Sequence, residues 1–412
     1  MSGFVKEVTS RKIVIENVTE SLCFPWKIRS RRVRISDAAG LRSAEDIYSD
    51  TAYPPYSRSL RDGYAVHHED VSGASASSPV FLTTKGEVVM GEVPDFEVLR
   101  GEAAPIPTGG ILPRGADAVV MIEDTDSAGG WTEVRASAQA YENIVMAGEE
   151  LPCGERIMER GTLIDFRGIG ALAAAGISDL NVPDLNISIL STGDEIVPVE
   201  TKELPPGSIR DVNAWNLAAM LARYGFISSY KGIAKDSGAE FEASFNNALK
   251  ESDVLILSGG SSVGVRDRSF EVLSRMSDPG LIVRGINIIP GKPTLIAADR
   301  KAKKMVVSLP GHPLSCLTVA FTVLLPLLLK MIGAPHDFCG TLTRFPLSGD
   351  LAAHTGAEKF IPCRISKEGT AEPLAAKSGY ITALKEADGF ICLAEDTETM
   401  RAKEEACVWL WQ

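Results

Sequence analysis

Four carboxylates in the middle of the chain, Asp194, Glu195, Asp236 and Asp267, stand at or just beyond the ends of short apolar runs or glycine-rich turns. Carboxylates drawn together repel one another unless they are protonated or bridged by a cation. Between them runs the turn Gly259-Gly260-Ser261-Ser262-Val263-Gly264, which permits close backbone approach and offers amides and two hydroxyls to an anion. A second turn, Pro290-Gly291-Lys292-Pro293, adds the point charge of a lysine. Acids, amides and a lysine suit a phosphorylated small molecule held with Mg2+. That ion takes oxygen ligands, typically one or two carboxylates plus the phosphate oxygens of the substrate.

Rival motifs fail on spacing. Gly285 to Pro293, GINIIPGKP, is not a phosphate-binding P-loop, because five residues separate its glycines and proline stands where Ser or Thr should hold Mg2+. GGSSVG lacks the glycine order of a dinucleotide fingerprint.

The elements that must position these residues are four apolar runs between Leu185 and Pro313. LNISIL leads into Ser191-Thr192-Gly193-Asp194-Glu195, DVLILS into the GGSSVG turn, INII into PGKP, and KMVVSL into Pro310-Gly311-His312-Pro313. Short apolar runs bounded by turn residues read as buried strands. Helical patterns separate the first two runs and follow the fourth, so the stretch predicts a mostly parallel sheet covered by helices. Ligands of such sheets bind outside the carboxyl ends of the strands, which makes the four turns candidates for one shared mouth. Asn213 is expected to cap the helix AWNLAAMLARYGF, and FEASFNNALKES reads as a second helix. The apolar run Cys316 to Leu329 reads as a helix buried on all sides, too short for the roughly 20 residues of a membrane span and interrupted by Pro326.

At 412 residues the chain has room for roughly three domains of about 150 residues. A formal charge of −12 argues against a nucleic-acid partner. Lys27 to Arg34, KIRSRRVR, is the local exception and reads either as a half-exposed strand or as a basic patch. The seven cysteines form no C-x-x-C pair, which favours free thiols in a reducing compartment over disulfides or zinc. The opening MSGFVKEVTS lacks the apolar run of a signal peptide, so cytoplasmic residence without membrane attachment is expected.

Before the central stretch, Asp62-Gly63 is a strong turn signal. Short β-rich runs from Val80 to Thr125 predict a small antiparallel β domain. Thr108-Gly109-Gly110 within it is either a hairpin connection or a hydroxyl and amides offered to a ligand. Glu149 and Glu150 tip a turn, where paired acids are commonly just solvated. Phe166 to Gly176 reads as a helix closed by glycine, and residues 181–184, NVPD, as a linker. From Thr341 onward short β runs return, predicting a C-terminal β domain.

SLRDGYAV, STGDE, GGSSVG with Asp267 following, PGKP and LPGHP occur in this order over most of the chain. Together they resemble the molybdopterin molybdenumtransferase family, which includes the bacterial MoeA proteins and the E domain of gephyrin. The resemblance implies an α/β multidomain chain. Residues 1–50 and 147–182 would form an N-terminal split domain, 51–146 an inserted β-rich domain, 183–333 a mostly parallel α/β molybdopterin-binding domain and 334–412 a C-terminal β domain. It implies Mg2+-dependent insertion of molybdate into adenylylated molybdopterin, with release of AMP. Asp62, Glu195 and Asp267 would be catalytic, and Glu150, Glu195, Asp236 and Asp267 would serve the metal. Thr108, Gly109, Thr192, Gly193, Asp194, Gly259, Gly260, Ser261, Ser262, Gly264, Pro290, Gly291 and Lys292 would bind substrate. It further implies a homodimer with a shared site, and a molybdopterin adenylyltransferase as a candidate partner.

Two other readings stay open at this point: a tungstate-specific insertase, and a non-catalytic molybdopterin-binding or scaffold relative. The chain departs from the family pattern at four places. Ile289 precedes PGKP where a basic or polar residue is usual, and His312 replaces asparagine in LPGNP. Leu60-Arg61 precede Asp62, and GGSSVG replaces GGVSVG. Ile289 removes an expected anion contact if it lines the mouth; if it faces the core it has no such role, since INII is apolar throughout.

Overall fold

The computed structural model describes residues 9–411 apart from 236–237, 260–262, 336–339, 353–355 and 376–378, with backbone alone for 263–267. The chain divides into two compact units. One comprises Met1–Glu45, Glu159–Phe166 and Asp179–Gln412, and the other Asp46–Met158 and Arg167–Ser178.

The larger unit is built on a six-stranded sheet, ordered Ser228–Ala234, Ile187–Thr192, Val254–Gly259, Lys304–Leu309, Leu295–Asp299, Pro279–Arg284. The first four strands are mutually parallel, and the last two pairings are antiparallel. Only Leu295–Asp299 therefore runs against the rest. Side chains alternate across the sheet as the strand period of two requires. Ile187, Ile189, Val254, Ile256, Met305 and Val307 enter one core, and Leu190, Leu255, Leu257 and Val306 enter the other. Helix Gly238–Glu251 covers the second face through Phe241 and Phe245. Helix Asn213–Arg223 and the segment Pro313–Ile332 cover the first through Leu217, Leu221 and a run of leucines.

INII does not join this sheet. Ile288–Ile289 pairs in parallel with Glu358–Ile365 of the C-terminal sheet, in the register Ile288↔Glu358 and Ile289↔Lys359. Gly285 closes the preceding strand and Pro290 has no N–H to continue a ladder, so only two residues are free to pair. The apolar runs that extend the central sheet instead are Pro279–Arg284 and Leu295–Asp299.

The segment Pro313–Ile332 is α-helical to Val319, widens to i→i+5 bonding over Ala320–Leu324, and returns to α-helix at Leu325. Pro326 has no N–H to give to the carbonyl of Thr322, and Arg11 donates to that carbonyl at 3.4 Å. The same Arg11 makes a two-point contact with Glu358 at 2.8 and 2.9 Å, tying the first helix to the C-terminal sheet. By length and hydropathy this 20-residue segment would suffice to cross a membrane, but 89% of its apolar 18-residue window is buried inside the protein.

The basic run forms the strand Ser30–Arg34, with Val33 buried and its arginines facing solvent. Its partner is Asp179–Pro183, so most of the expected linker is a strand. The C-terminal sheet is ordered Ile288–Ile289, Glu358–Ile365, Gly389–Leu393, Glu405–Leu410, Thr341–Pro346.

The smaller unit carries a second six-stranded sheet, ordered Ala118–Met121, Gly63–Val66, Glu102–Ile106, Val80–Thr84, Trp131–Val134, Thr125–Ala128. It is antiparallel except where Val80–Thr84 meets Glu102–Ile106 in parallel.

Candidate active site

The carboxyl edge of the central sheet is assembled by close backbone approach. Thr192 and Gly259 lie side by side in the register of adjacent strands. A β-carbon on Gly259 would sit 2.0 Å from the Thr192 carbonyl oxygen, so the two strand ends meet only because this residue is glycine. The next turn bends through Gly193 at φ 145°, a conformation that L side chains rarely adopt. Its missing side chain is replaced by the Glu195 carboxylate, 2.7 Å from where a β-carbon would stand. Glu195 is thus half-buried and folded back over the strand end, while Asp194 is exposed. The amide of Gly193 donates to the carbonyl of Ala234 at 3.2 Å, and Lys235 Nζ to the carbonyl of Asp194 at 3.3 Å. These contacts draw the end of the neighbouring strand to the same turn.

Asp236, Gly260, Ser261 and Ser262 lie outside the described residues. Gly264 and Asp267 fall within helix Val263–Ser274, placed by backbone only. Among the described residues no three acid, histidine or cysteine side chains converge as a ready metal cage.

Pro290-Gly291-Lys292 forms a separate turn in the same unit. Ile286 and Thr294 donate their amides to the Lys292 carbonyl, and the Thr294 hydroxyl donates to Gly291 at 2.8 Å. The backbone is therefore fixed while the exposed Lys292 ammonium projects without a hydrogen-bond partner among the described residues. Ile288 is 1% exposed and Ile289 38% exposed, so the outward-facing residue is the one beside PGKP.

In the smaller unit, Asp62 Oδ1 accepts the amide of Thr108 at 2.7 Å. That bond and one from the Thr108 hydroxyl hold the carboxyl below the usual carboxylate range. Gly109 donates to the carbonyl of Ser59 at 2.8 Å, and Ser59 supports the backbone of Arg61 through its hydroxyl. The structure thus joins Asp62, Thr108 and Gly109. It does not bring Glu150 into hydrogen bonding with them. Glu150 is exposed, and its neighbour Glu149 closes the turn by accepting the Met146 amide at 2.7 Å.

Three family models match consecutive parts of the chain: the MoeA N-terminal region (domain I and II) over residues 9–176, a probable molybdopterin-binding domain over 188–330, and the MoeA C-terminal region (domain IV) over 344–411. A molybdopterin biosynthesis protein of Methanocaldococcus jannaschii is 31% identical over 98% of this chain and 97% of its own length. The molybdopterin molybdenumtransferase of Haemophilus influenzae is 31% identical over 75% of this chain and 74% of its own. A crystal structure of a molybdopterin biosynthesis MoeA protein from Pyrococcus horikoshii superposes with a TM-score of 0.80 at 32% identity, covering 98% of this chain and 100% of that one.

The chain belongs to the MoeA family.

Reading the MoeA motifs in sequence missed two residues that shape the edge. Asp211 is 2% exposed, and it rather than Asn213 caps the helix. Its Oδ1 accepts the Ala214 amide at 3.2 Å, and its Oδ2 the Tyr230 hydroxyl at 2.8 Å. Asn213 instead donates to the carbonyl of Gly311 at 2.8 Å, tying the LPGHP turn to the start of that helix. The signal was available, since Asp-Val-Asn offers two capping residues and position 211 places its oxygen three residues ahead of a free amide. Lys235 is the second, and no spacing rule could have found its bond to the Asp194 carbonyl.

Proposed function

We propose that this chain is a molybdopterin molybdenumtransferase. It inserts molybdate into adenylylated molybdopterin in a Mg2+-dependent reaction, with release of AMP. Membership of the MoeA family makes molybdenum cofactor biosynthesis its work. The observation that carries the finer reading is the Glu195 carboxylate folded over Gly193 at the carboxyl edge of a mostly parallel sheet. Open sheets of this kind receive their ligands at that edge.

A hard cation fits the donors present. Mg2+ asks for one or two carboxylates and takes its remaining oxygens from water and substrate phosphate. Glu195 with Asp267 and Asp236 would hold it, with Glu150 as a further candidate. Bound there, the ion would neutralise phosphate charge at the bond that breaks. Lys292, anchored through its backbone and free at its ammonium, binds phosphate or the oxyanion as a point charge. Thr192, Gly193, Asp194, Gly259, Gly260, Ser261, Ser262, Gly264, Pro290 and Gly291 supply amides, hydroxyls and close approach. Asp62, kept ionised by Thr108, orients the oxyanion assembly together with Thr108 and Gly109.

The same reading makes the protein a cytoplasmic homodimer, with the α/β domain of one subunit completed by the N-terminal region of the other. It is supplied with substrate by a molybdopterin adenylyltransferase. The experiment is reconstitution from adenylylated molybdopterin with molybdate and with tungstate, following AMP release. Release that depends on Mg2+ and on the oxyanion is expected, and none with either oxyanion would overturn the proposal. Sedimentation at micromolar concentration tests the assembly, and a monomer would remove the shared site.

A further inference from the structure

Cys392 and Cys407 face each other across two antiparallel strands of the C-terminal sheet, as directly opposed residues in the pairing of Gly389–Leu393 with Glu405–Leu410. Opposed residues project from the same side of a sheet. Both thiols are free, and both line one open groove against the first helix. The amide of Trp411 donates to the carbonyl of Asp388 at 3.0 Å, which makes that pair a hydrogen-bonded one. Bonded and non-bonded pairs alternate along an antiparallel ladder, so Cys392 and Cys407, two alternations on, also form a bonded pair. Their Cα atoms are then about 5.5 Å apart, within the roughly 4.4–6.8 Å that a disulfide spans. The side chains of a bonded pair stand farther apart than the about 3.5–4.5 Å between β-carbons of an unstrained bridge, so closure draws the strands together and leaves the bridge readily reduced.

The other cysteines are excluded by position. Cys363 is fully buried in the core on the opposite face of this sheet, packed with Ile391 and Val408. Cys316 is fully buried in the apolar segment Pro313–Val319. Cys23 and Cys153 are exposed elsewhere, and Cys339 lies outside the described residues.

We propose that Cys392 and Cys407 form a reversible disulfide, made by exchange with a low-molecular-weight disulfide of the oxidised-glutathione class. Cys407, the more accessible thiol, loses its proton and attacks one sulfur of the small disulfide, expelling one small thiol. Cys392 then loses its proton and attacks the Cys407 sulfur of the mixed disulfide, expelling the second. Two protein thiols are oxidised, and one small disulfide is reduced to two thiols. Burial pushes both thiols above the ordinary thiol range. Exchange is therefore slow at neutral pH and accelerates as pH rises, because the thiolate is the attacking species.

The test incubates the full-length protein with oxidised glutathione at mildly alkaline pH and follows free thiols, intact mass and peptide map. The expected product has lost two of its seven thiols and two hydrogens in mass, carries no glutathione, links the peptides of Cys392 and Cys407, and reverts with dithiothreitol. Cys392→Ser is expected to stop at a glutathione adduct on Cys407. Wild-type protein that keeps glutathione on Cys407 beside a titratable Cys392 would overturn the proposal. So would a covalent dimer, or a bridge that includes Cys363. Because the wild-type map decides the matter, a variant that fails to fold leaves the result intact.

Discussion

Asp62 and Thr108, 46 residues apart in the chain, are joined by a 2.7 Å hydrogen bond from the Thr108 amide to the Asp62 carboxylate. The bond favours the ionised carboxyl, so Asp62 titrates below the usual carboxylate range in the folded protein. A depressed carboxyl contributes stability that is present above the unfolded pKa and is lost as pH falls through the folded value. The Thr108 amide resonance is therefore expected to hold its position through the ordinary aspartate range and to move only at lower pH. Movement centred in the ordinary range would refute the contact. Asp62→Asn keeps an acceptor but removes the charge. We expect its melting temperature at neutral pH to fall slightly, by the small contribution of the ionised carboxyl, and its turnover to fall by a factor on the order of 100, the scale of losing one electrostatic contact at a reacting centre.

Glu195→Gln and Gly193→Ala are expected to injure the same function by different routes. The first preserves shape and removes a negative charge, so folding should be unchanged while the Mg2+ concentration giving half-maximal activity rises. The second pushes the Glu195 carboxylate off the glycine and forces an L residue to φ 145°. A strained backbone of this kind costs about 1–3 kcal/mol, so urea denaturation should show the loss alongside reduced activity. Wild-type Mg2+ dependence in both variants would remove Glu195 from the site.

Ile289→Lys places an ammonium on the outward face of the two-residue strand, since Ile288 is the buried member of the pair. An exposed substitution shifts stability by about 0.5 kcal/mol or less, so a thermal melt should barely move. Binding of the anionic ligand should tighten at low salt and lose that gain as ionic strength rises, because exposed charges are screened. A sharp drop in melting temperature with unchanged affinity would contradict this.

Asp211→Ala removes a helix cap and the acceptor of the Tyr230 hydroxyl in one step. Loss of a cap costs about 0.5–2 kcal/mol, and loss of the hydrogen bond from Tyr230, an exposed side chain whose hydroxyl water can then serve, about 0.5–1.5 kcal/mol. Denaturant unfolding should therefore show a loss of about 1–3.5 kcal/mol. Tyr230→Phe keeps the cap but leaves the buried Asp211 carboxylate short of one donor, a loss of about 1–3 kcal/mol. Wild-type stability in both variants would show that neither contact contributes.

Much of this architecture was legible where local chemistry dictated it. Ile187–Thr192, Val254–Gly259 and Lys304–Leu309 are short, apolar and closed by glycine or proline, and all three lie in the central sheet as expected. Ile288–Ile289 was misplaced because its partner lies some seventy residues onward in Glu358–Ile365, and four apolar residues carry no record of which sheet they join. Residues 181–184, NVPD, read as a linker because so short a stretch holding a proline has no periodicity, yet Ser30–Arg34 supplies a ladder for the strand Asp179–Pro183. Pro326 was visible as an interruption. Its accommodation by a widened turn and by Arg11 depended on a side chain from the other end of the chain. In the site, the motif turns marked where the glycines must fall, whereas Lys235 and Asp211 act through contacts that spacing does not encode.

Ile288–Ile289 also bears on how this chain can be cut or inherited. The stretch from Ile286 to Ile289 is bracketed by two distant parts of the chain. Thr9 bridges Ile286 and accepts the Asn287 amide, while the Glu358 amide donates to the Asn287 carbonyl. The Asn287 side chain reaches the carbonyl of Gly356 at 2.7 Å. The lysine turn that follows at residues 290–292 thus hangs from a splice of three segments. A fragment ending at Gly333 would contain every residue of the central sheet, yet leave that turn without its outer support. The C-terminal domain is therefore not a detachable module, and deletions or domain exchanges at this boundary should cost ligand affinity even where the fragment still folds.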